Sequence, residues 1–168
     1  LYGFDSAELA VGAWTLGLVH SPGCPLYLLL GKLFMLIPLG DPAYRLNLLS
    51  GVMAAAAVLC VYGSVLRLVH VRWIAVAVAW ILGFSYYFWM WAVVAEIYAV
   101  HFFFVAFLFL LTLRWREQPT AKGLCMIAFV YGLSSGNHIS MVLLLPGFGW
   151  LILSRDFSLL RQPWKVVL

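Results

Sequence analysis

Apolar residues run in long blocks broken by short polar stretches, and the block lengths predict helices scaled to a bilayer. A helix rises 1.5 Å per residue, so crossing a hydrocarbon core of about 30 Å takes about 20 residues. Leu46–Leu66 and Trp73–Ala95 are charge-free runs of that order, and Ile97–Leu113 follows with His101 inside it. Gly123–Ser154 would reach about 48 Å as one helix, longer than a single upright span needs. Its centre, Ser134-Ser135-Gly136-Asn137-His138-Ile139-Ser140, is polar and predicts a turn between helices over about 123–134 and 141–154. The first 40 residues differ. His20-Ser21-Pro22-Gly23-Cys24-Pro25 interrupts an otherwise apolar stretch, because proline and glycine end helices. Two short helices are expected, from Ser6 to about Val19 and from Pro25 to about Ile37. Ser6 is the expected cap of the first, and Pro25 is expected near the first turn of the second. Both are too short to span and are expected to lie flat at the membrane surface. Gly40-Asp41-Pro42 then turns the chain into the first full span.

The fold expected is therefore all-α and polytopic, a single membrane domain over 1–168. Residues 1–42 form an extracytoplasmic loop with two interfacial helices, and 43–168 form a transmembrane bundle of about five helices. The chain begins at Leu1 and stops just after Pro163, as a new apolar stretch starts. It shows no signal peptide pattern and is read as an internal piece of a longer membrane protein.

Composition narrows the class. The chain is 65% hydrophobic and only 10% charged, with a mean hydropathy of +1.04. Soluble domains are about 45–50% apolar and about 25% charged, so a soluble globule and a disordered tail are both excluded. The pI near 9.1 does not signal nucleic-acid binding, because the ten Lys and Arg are scattered singly. Three cysteines, at 24, 60 and 125, fit neither a disulfide framework nor a zinc site.

Charge sets the orientation. Positive residues accumulate on the cytoplasmic side of membrane proteins. With a turn at 134–140, Arg67, Arg72, Arg114, Arg116, Lys122, Arg155, Arg161 and Lys165 share one face, and only Lys32 and Arg45 take the other, 8 against 2. With one long helix the last three change sides and the count falls to 5 against 5. The turn therefore places residues 1–45, Glu96 and Asn137-His138 together outside the cytoplasm.

Ionisable groups beside a bilayer are costly and mark candidate sites. Asp5 and Glu8 are three apart, which places both carboxylates on one helix face. Such a pair can accept a proton or hold a divalent cation; a solvated helix start with acids near its N-terminus is the plainer alternative. Glu96 separates two apolar runs, with Tyr98 and His101 following on the same helix; an interfacial anchor is the plain reading. His138 and Asn137 sit in the polar turn beside Gly136, and His20 lies in the first break. Arg45 stands at the outer mouth of the first span, where an anionic headgroup or phosphate would suit it, or where it would simply snorkel. No P-loop, GxGxxG, HExxH or GxSxG pattern occurs, so nothing points to a soluble nucleotide donor. Carboxylates, a cation and imidazoles on one face suit transfer chemistry on a lipid-linked anion. The rival class is a transporter or lipid-handling subunit, which more often holds its ionisable groups near the bilayer midplane.

Five motifs then occur in order: Asp5-Ser6-Ala7-Glu8-Leu9, His20-Ser21-Pro22-Gly23-Cys24-Pro25-Leu26-Tyr27, Gly40-Asp41-Pro42-Ala43-Tyr44-Arg45-Leu46-Asn47-Leu48-Leu49-Ser50, Ala95-Glu96-Ile97-Tyr98-Ala99 and Gly132-Leu133-Ser134-Ser135-Gly136-Asn137-His138. Over 1–155 the chain resembles the bacterial and animal relatives of the transmembrane protein O-mannosyltransferases, within the GT-C superfamily of polyprenyl-phosphate-sugar-dependent glycosyltransferases. The resemblance implies an integral membrane enzyme, in a bacterial inner membrane or the endoplasmic reticulum. It would move a sugar, mannose by family precedent, from a polyprenyl phosphate to an extracytoplasmic protein or glycan acceptor. It implies a GT-C-like bundle whose first span lies upstream, and an acidic first loop that maps to Asp5 with Glu8 beside it. Two juxtamembrane helices follow in the family, and an arginine matching Arg45 is associated with the donor phosphate. From their placement on the same face, His138 and Asn137 are expected to join it on the phosphate, and Glu96, His20, Tyr98 and His101 to line the acceptor side or the site. The resemblance fixes no cofactor; a divalent cation, if one is used, would sit at Asp5 and Glu8. Ala7 stands where the family more often has glycine, and Ser21 and Cys24 interrupt its usual Pro-Pro-Gly-Tyr-Pro.

Overall fold

The computed structural model describes residues 5–21 and 23–157. Pro22, Arg161, Pro163 and Lys165 lie outside them. The described residues form eight α-helices: α1 Ser6–Thr15, α2 Pro25–Met35, α3 Pro42–Val69, α4 Arg72–Gly83, α5 Tyr86–Ala92, α6 Ile97–Glu117, α7 Ala121–Ser135 and α8 Met141–Leu153. No strand occurs among them.

The centre is α3 packed on α6. Ser50, Ala54, Ala57, Cys60 and Ser64 make a buried stripe of small side chains along α3. Helices in lipid approach closely through such stripes, since apolar surface alone gives no drive for association there. On α6 the buried partners are larger: Val100, Phe104, Leu108 and Leu110. Asp41 starts α3 by accepting the Tyr44 N–H at 2.7 Å, with Pro42 in the first turn. His70 ends it in a left-handed conformation, φ 59°. Thr120 starts α7 by accepting the Gly123 N–H at 3.1 Å.

The polar cluster at 134–140 does separate two helices, α7 and α8. Their bend returns to the start of α6: Asn137 Nδ2 donates to the Ile97 carbonyl at 3.2 Å. It also meets the start of α2, where the Leu26 N–H donates to the Gly136 carbonyl at 3.1 Å. The far ends of the helices gather as a second, basic pole. Arg67 on α3 pairs with Glu117 at the end of α6. Arg116 donates to Leu151 and, at 2.8 Å, to Ser154 Oγ, and Arg155 Nε donates to the Arg116 carbonyl at 2.8 Å. Asp5, Glu96 and the 136–140 bend thus share the pole opposite this one.

Three details differ from the sequence reading. The run 73–95 is broken: α4 and α5 meet at 67° across Phe84-Ser85. Gly83 ends α4 and Ser85 starts α5, the small-residue pairing at which sharp kinks occur. The first two helices stop at Thr15 and Met35 rather than near Val19 and Ile37, with Leu16 left-handed at φ 55° as the cap of the first. The expected count of about five spans is not confirmed among the described residues. Among the described residues two helices, α3 and α6, are long and apolar enough to cross a membrane, and the bent α4–α5 pair makes a third if it counts as one span. At 15 and 13 residues, α7 and α8 reach only about 20–23 Å.

Large apolar side chains cover the outside; Trp73 is 83% and Leu143 79% exposed. A belt of this extent would be an aggregation hazard in water and is at home in lipid. This is a membrane protein.

α1 rests on α2 at a narrow crossing. A Cβ on Gly31 would stand 2.8 Å from the Ala13 Cβ and 3.0 Å from a Leu46 methyl, so only glycine lets the two helices approach this far.

Candidate active site

Asp5 and Glu8 open α1. The Asp5 side chain makes no capping bond to its own helix, which leaves the carboxylate available. Glu8 turns both oxygens to His20: Oε1 accepts the His20 main-chain N–H at 2.6 Å, and Oε2 meets Nδ1 at 2.8 Å. The other ring nitrogen, Nε2, lies 3.6 Å from Asp5 Oδ2. One imidazole therefore bridges two carboxylates. The hydrogen bond to Glu8 raises the His20 pKa above its ordinary value, and the same bond to His20 lowers that of Glu8. All three side chains are about half exposed, open to a substrate from outside.

One ligand atom each from Asp5, Glu8 and His20 lie within 4.8 Å of one another, close enough to surround a divalent cation. His20 carrying its proton meets the same negative charge without a metal, so imidazolium and cation compete for the same oxygens.

Glu96 differs from these acids in being buried, 3% exposed, just before α6. Its Oε1 accepts the Asp5 N–H at 2.9 Å, joining residues 91 apart in sequence. Burial pushes its pKa up, opposed by the Asp5 N–H. Cys24, buried and left-handed at φ 37°, lies beside both acids; burial first, then the charges of Glu96 and Asp5, raise its thiol pKa. The fully buried Tyr27 and Ser50 hydroxyls make no hydrogen bond of good geometry among the described residues.

A second group gathers along the first half of α6. The Trp91 and Tyr98 ring centres are 4.3 Å apart, Tyr98 and His138 6.1 Å, and His101 and His138 5.2 Å. Ser140 Oγ lies between the imidazoles, 2.6 Å from His138 Nδ1 and 3.3 Å from His101 Nε2. Below His101 opens a cavity of about 610 Å³ lined mainly by apolar groups, among them Phe88, Phe102, Val105 and Leu144. A second apolar cavity, about 520 Å³, lies between α3 and the α4–α5 bend and is lined by Ala54, Trp80 and Phe88.

The structure thus joins Asp5, Glu8, His20 and Glu96 in one group, and Tyr98, His101 and His138 in another. Asn137 connects the two by holding Ile97, the residue after Glu96, but it is itself 1% exposed. Arg45 stands apart from both in its contacts. Its guanidinium donates to three main-chain carbonyls: Met35 at 2.7 Å, Leu39 at 3.0 Å and Gly40 at 3.2 Å. It brackets the α2–α3 turn and has two of its five N–H donors left for an anion. Sequence reasoning singles out neither Ser140, Trp91 nor Cys24 as a site residue; Ser140, two after His138, reads there as turn polarity alone.

Residues 5–161 match the family described as the protein O-mannosyl-transferase TMEM260 N-terminal domain. The chain belongs to this family. Among curated relatives, the mouse protein named protein O-mannosyl-transferase TMEM260 is 38% identical over 148 residues, covering 85% of this chain and 21% of its own length. The Dictyostelium discoideum protein of the same name is 31% identical over 185 residues, covering 98% of this chain and 22% of its own. The chain spans about a fifth of the length of these TMEM260 relatives. No solved structure matches it.

Proposed function

We propose that this chain forms the active-site part of a GT-C-type membrane glycosyltransferase that moves a sugar, mannose as in the names of its relatives, from a polyprenyl phosphate to a hydroxyl on an extracytoplasmic protein or glycan. The reading rests on one observation. Asp5, Glu8, His20 and Glu96, drawn from three separate segments, meet at the pole shared by the 136–140 bend and opposite the arginines. By the positive-inside rule that pole faces away from the cytoplasm.

In this mechanism the Asp5 carboxylate takes the proton of the acceptor hydroxyl as its oxygen attacks the sugar's anomeric carbon. The bond from that carbon to the phosphate oxygen breaks, inverting the centre, and the electron pair leaves with the phosphate. Glu8 and His20 hold the Asp5 side of the site, or hold a cation that orients the acceptor. Glu96 fixes the backbone of Asp5. His138, assisted by the free donors of Arg45, faces the charge growing on the departing phosphate. Asn137 serves through the bend it fastens, and Tyr98 and His101 line the wall above the apolar cavity. That cavity suits an isoprenoid chain, whose phosphate would then rest at the level of His138. The α1 and α2 helices lie at the membrane surface beside it.

The test is Asp5→Asn in the full-length protein, with a defined polyprenyl phosphate sugar. Transfer is expected to vanish while membrane insertion is kept. Unchanged turnover would remove Asp5 from its role.

A further inference from the structure

Three contacts around the 136–140 bend fix where its protons sit. The Ser140 main-chain N–H donates to His138 Nδ1 at 3.1 Å. That nitrogen must therefore carry a lone pair, so His138 is neutral and holds its proton on Nε2. The Ser140 hydroxyl also meets Nδ1, at 2.6 Å, and against a lone pair it can only donate. Having spent its one proton, Ser140 Oγ can only accept from His101 Nε2 at 3.3 Å. The chain has a single direction, from His101 Nε2–H through the Ser140 hydroxyl to His138 Nδ1. The imidazole ring sets Nε2 on the side away from Nδ1, so His138 turns an N–H donor away from Ser140.

We propose that Ser140 is a positioning residue for the donor phosphate: its hydroxyl and main-chain N–H together lock His138 as a neutral Nε2–H donor aimed at a phosphoryl oxygen. The inference rests on the glycosyltransferase reading for the identity of the anion, but not for the tautomer. A neutral donor suits this task, because it can bind the phosphate of the intact donor and strengthen its hydrogen bond as charge arrives, without first giving up a proton. The lock also explains why two imidazoles stand 5.2 Å apart around one hydroxyl. His101 Nε2–H donates to Ser140 Oγ, so the serine's own proton is left for His138 rather than for His101.

The experiment uses the full-length protein in lipid nanodiscs, with ring-¹⁵N-labelled histidine and the His138 signal assigned by its loss in His138→Gln. At neutral pH the wild type is expected to show His138 as the Nε2–H tautomer. Ser140→Ala removes one of two donors to Nδ1 and the acceptor of His101. The main-chain N–H stays on Nδ1, so the Nε2–H tautomer should persist, while the His138 Nδ1 and His101 Nε2 signals should both shift as the hydroxyl is lost. With a short-chain polyprenyl phosphate mannose as probe, Ser140→Ala should raise the donor KM about five- to tenfold, the worth of one hydrogen bond, and leave the acceptor KM unchanged. Ser140→Thr, which keeps the hydroxyl, should restore both spectrum and KM. An Nδ1–H or imidazolium His138 in the wild type would overturn the proposal. So would a Ser140→Ala variant with wild-type spectrum and donor KM, or a Ser140→Thr variant no better than alanine in both. If the wild type transfers no sugar, the functional reading fails while the spectra still decide the lock.

Discussion

Removing the Glu96 carboxyl tests how the base is held. Glu96 touches the proposed chemistry only through the Asp5 main chain, by the 2.9 Å bond from its N–H. Hydrogen bonds to charged groups contribute about 1.5–3 kcal/mol, and neutral ones about 1 kcal/mol. Glu96→Ala deletes the acceptor and frees the start of α1. At about 1.4 kcal/mol per tenfold, turnover should fall about ten- to a hundredfold, since a base displaced by about 1 Å can lose about 100-fold. Glu96→Gln keeps a carbonyl oxygen where Oε1 stood and gives up only the charge, so its loss should stay within about tenfold. Two measurements on the full-length protein decide the matter: initial transfer rates at saturating donor and acceptor, and hydrogen exchange at the Asp5 amide. The amide should exchange faster in Glu96→Ala and stay protected in Glu96→Gln. A Glu96→Gln enzyme as slow as alanine, with the Asp5 amide still protected, would refute the positioning argument and hand the carboxylate a direct chemical part. Unchanged protection in Glu96→Ala would refute it as well.

Two further predictions concern the rim of the site. His20 should titrate above its ordinary value of 6.5, and Glu8→Gln should return it there, as read by histidine NMR. The sign follows from both shifts: the lowered Glu8 contributes above its unfolded pKa and fails as pH falls through the folded value, whereas the raised His20 contributes below 6.5 and fails as pH rises through its folded value. The pair should therefore order residues 16–20 between those limits and release them on the alkaline side, visible as faster amide exchange. Arg45→Lys should be as damaging as Arg45→Ala to the α2–α3 turn, because an ammonium cannot reach the carbonyls of Met35, Leu39 and Gly40 with a fixed fork; proteolysis at 36–41 measures it, and a lysine variant as resistant as wild type would contradict the bracket.

Much of this architecture could be seen in the residues. Asp41-Pro42 announced α3 because a side-chain acceptor followed by proline satisfies an N-terminus locally. The bend at 136–140 was visible because six polar or small residues within 134–140 interrupt a run too long for one helix. The break at Phe84-Ser85 was not, since Gly83 and Ser85 are individually tolerated within apolar helices and only packing against α3 selects the kink. Within the site, Asp5 with Glu8 was legible from spacing. The bridging place of His20 was not, because it depends on how the left-handed residues at 16 and 24 fold the connection back. Arg45 shows the same limit: its partners are main-chain carbonyls, which no side-chain pattern encodes. Ser140 was hidden because its importance lies in the direction of a proton.

The missing side chain at Gly31 reaches further than its size suggests. Asp5 and Glu8 ride on α1, and α1 sits where it does because nothing projects from position 31 to hold it off. The reach of the carboxylates is therefore set by a residue with no chemistry of its own, near the middle of the neighbouring helix. A single added methyl there would tilt the lever that carries both acids, and a search confined to reactive groups would never suspect it.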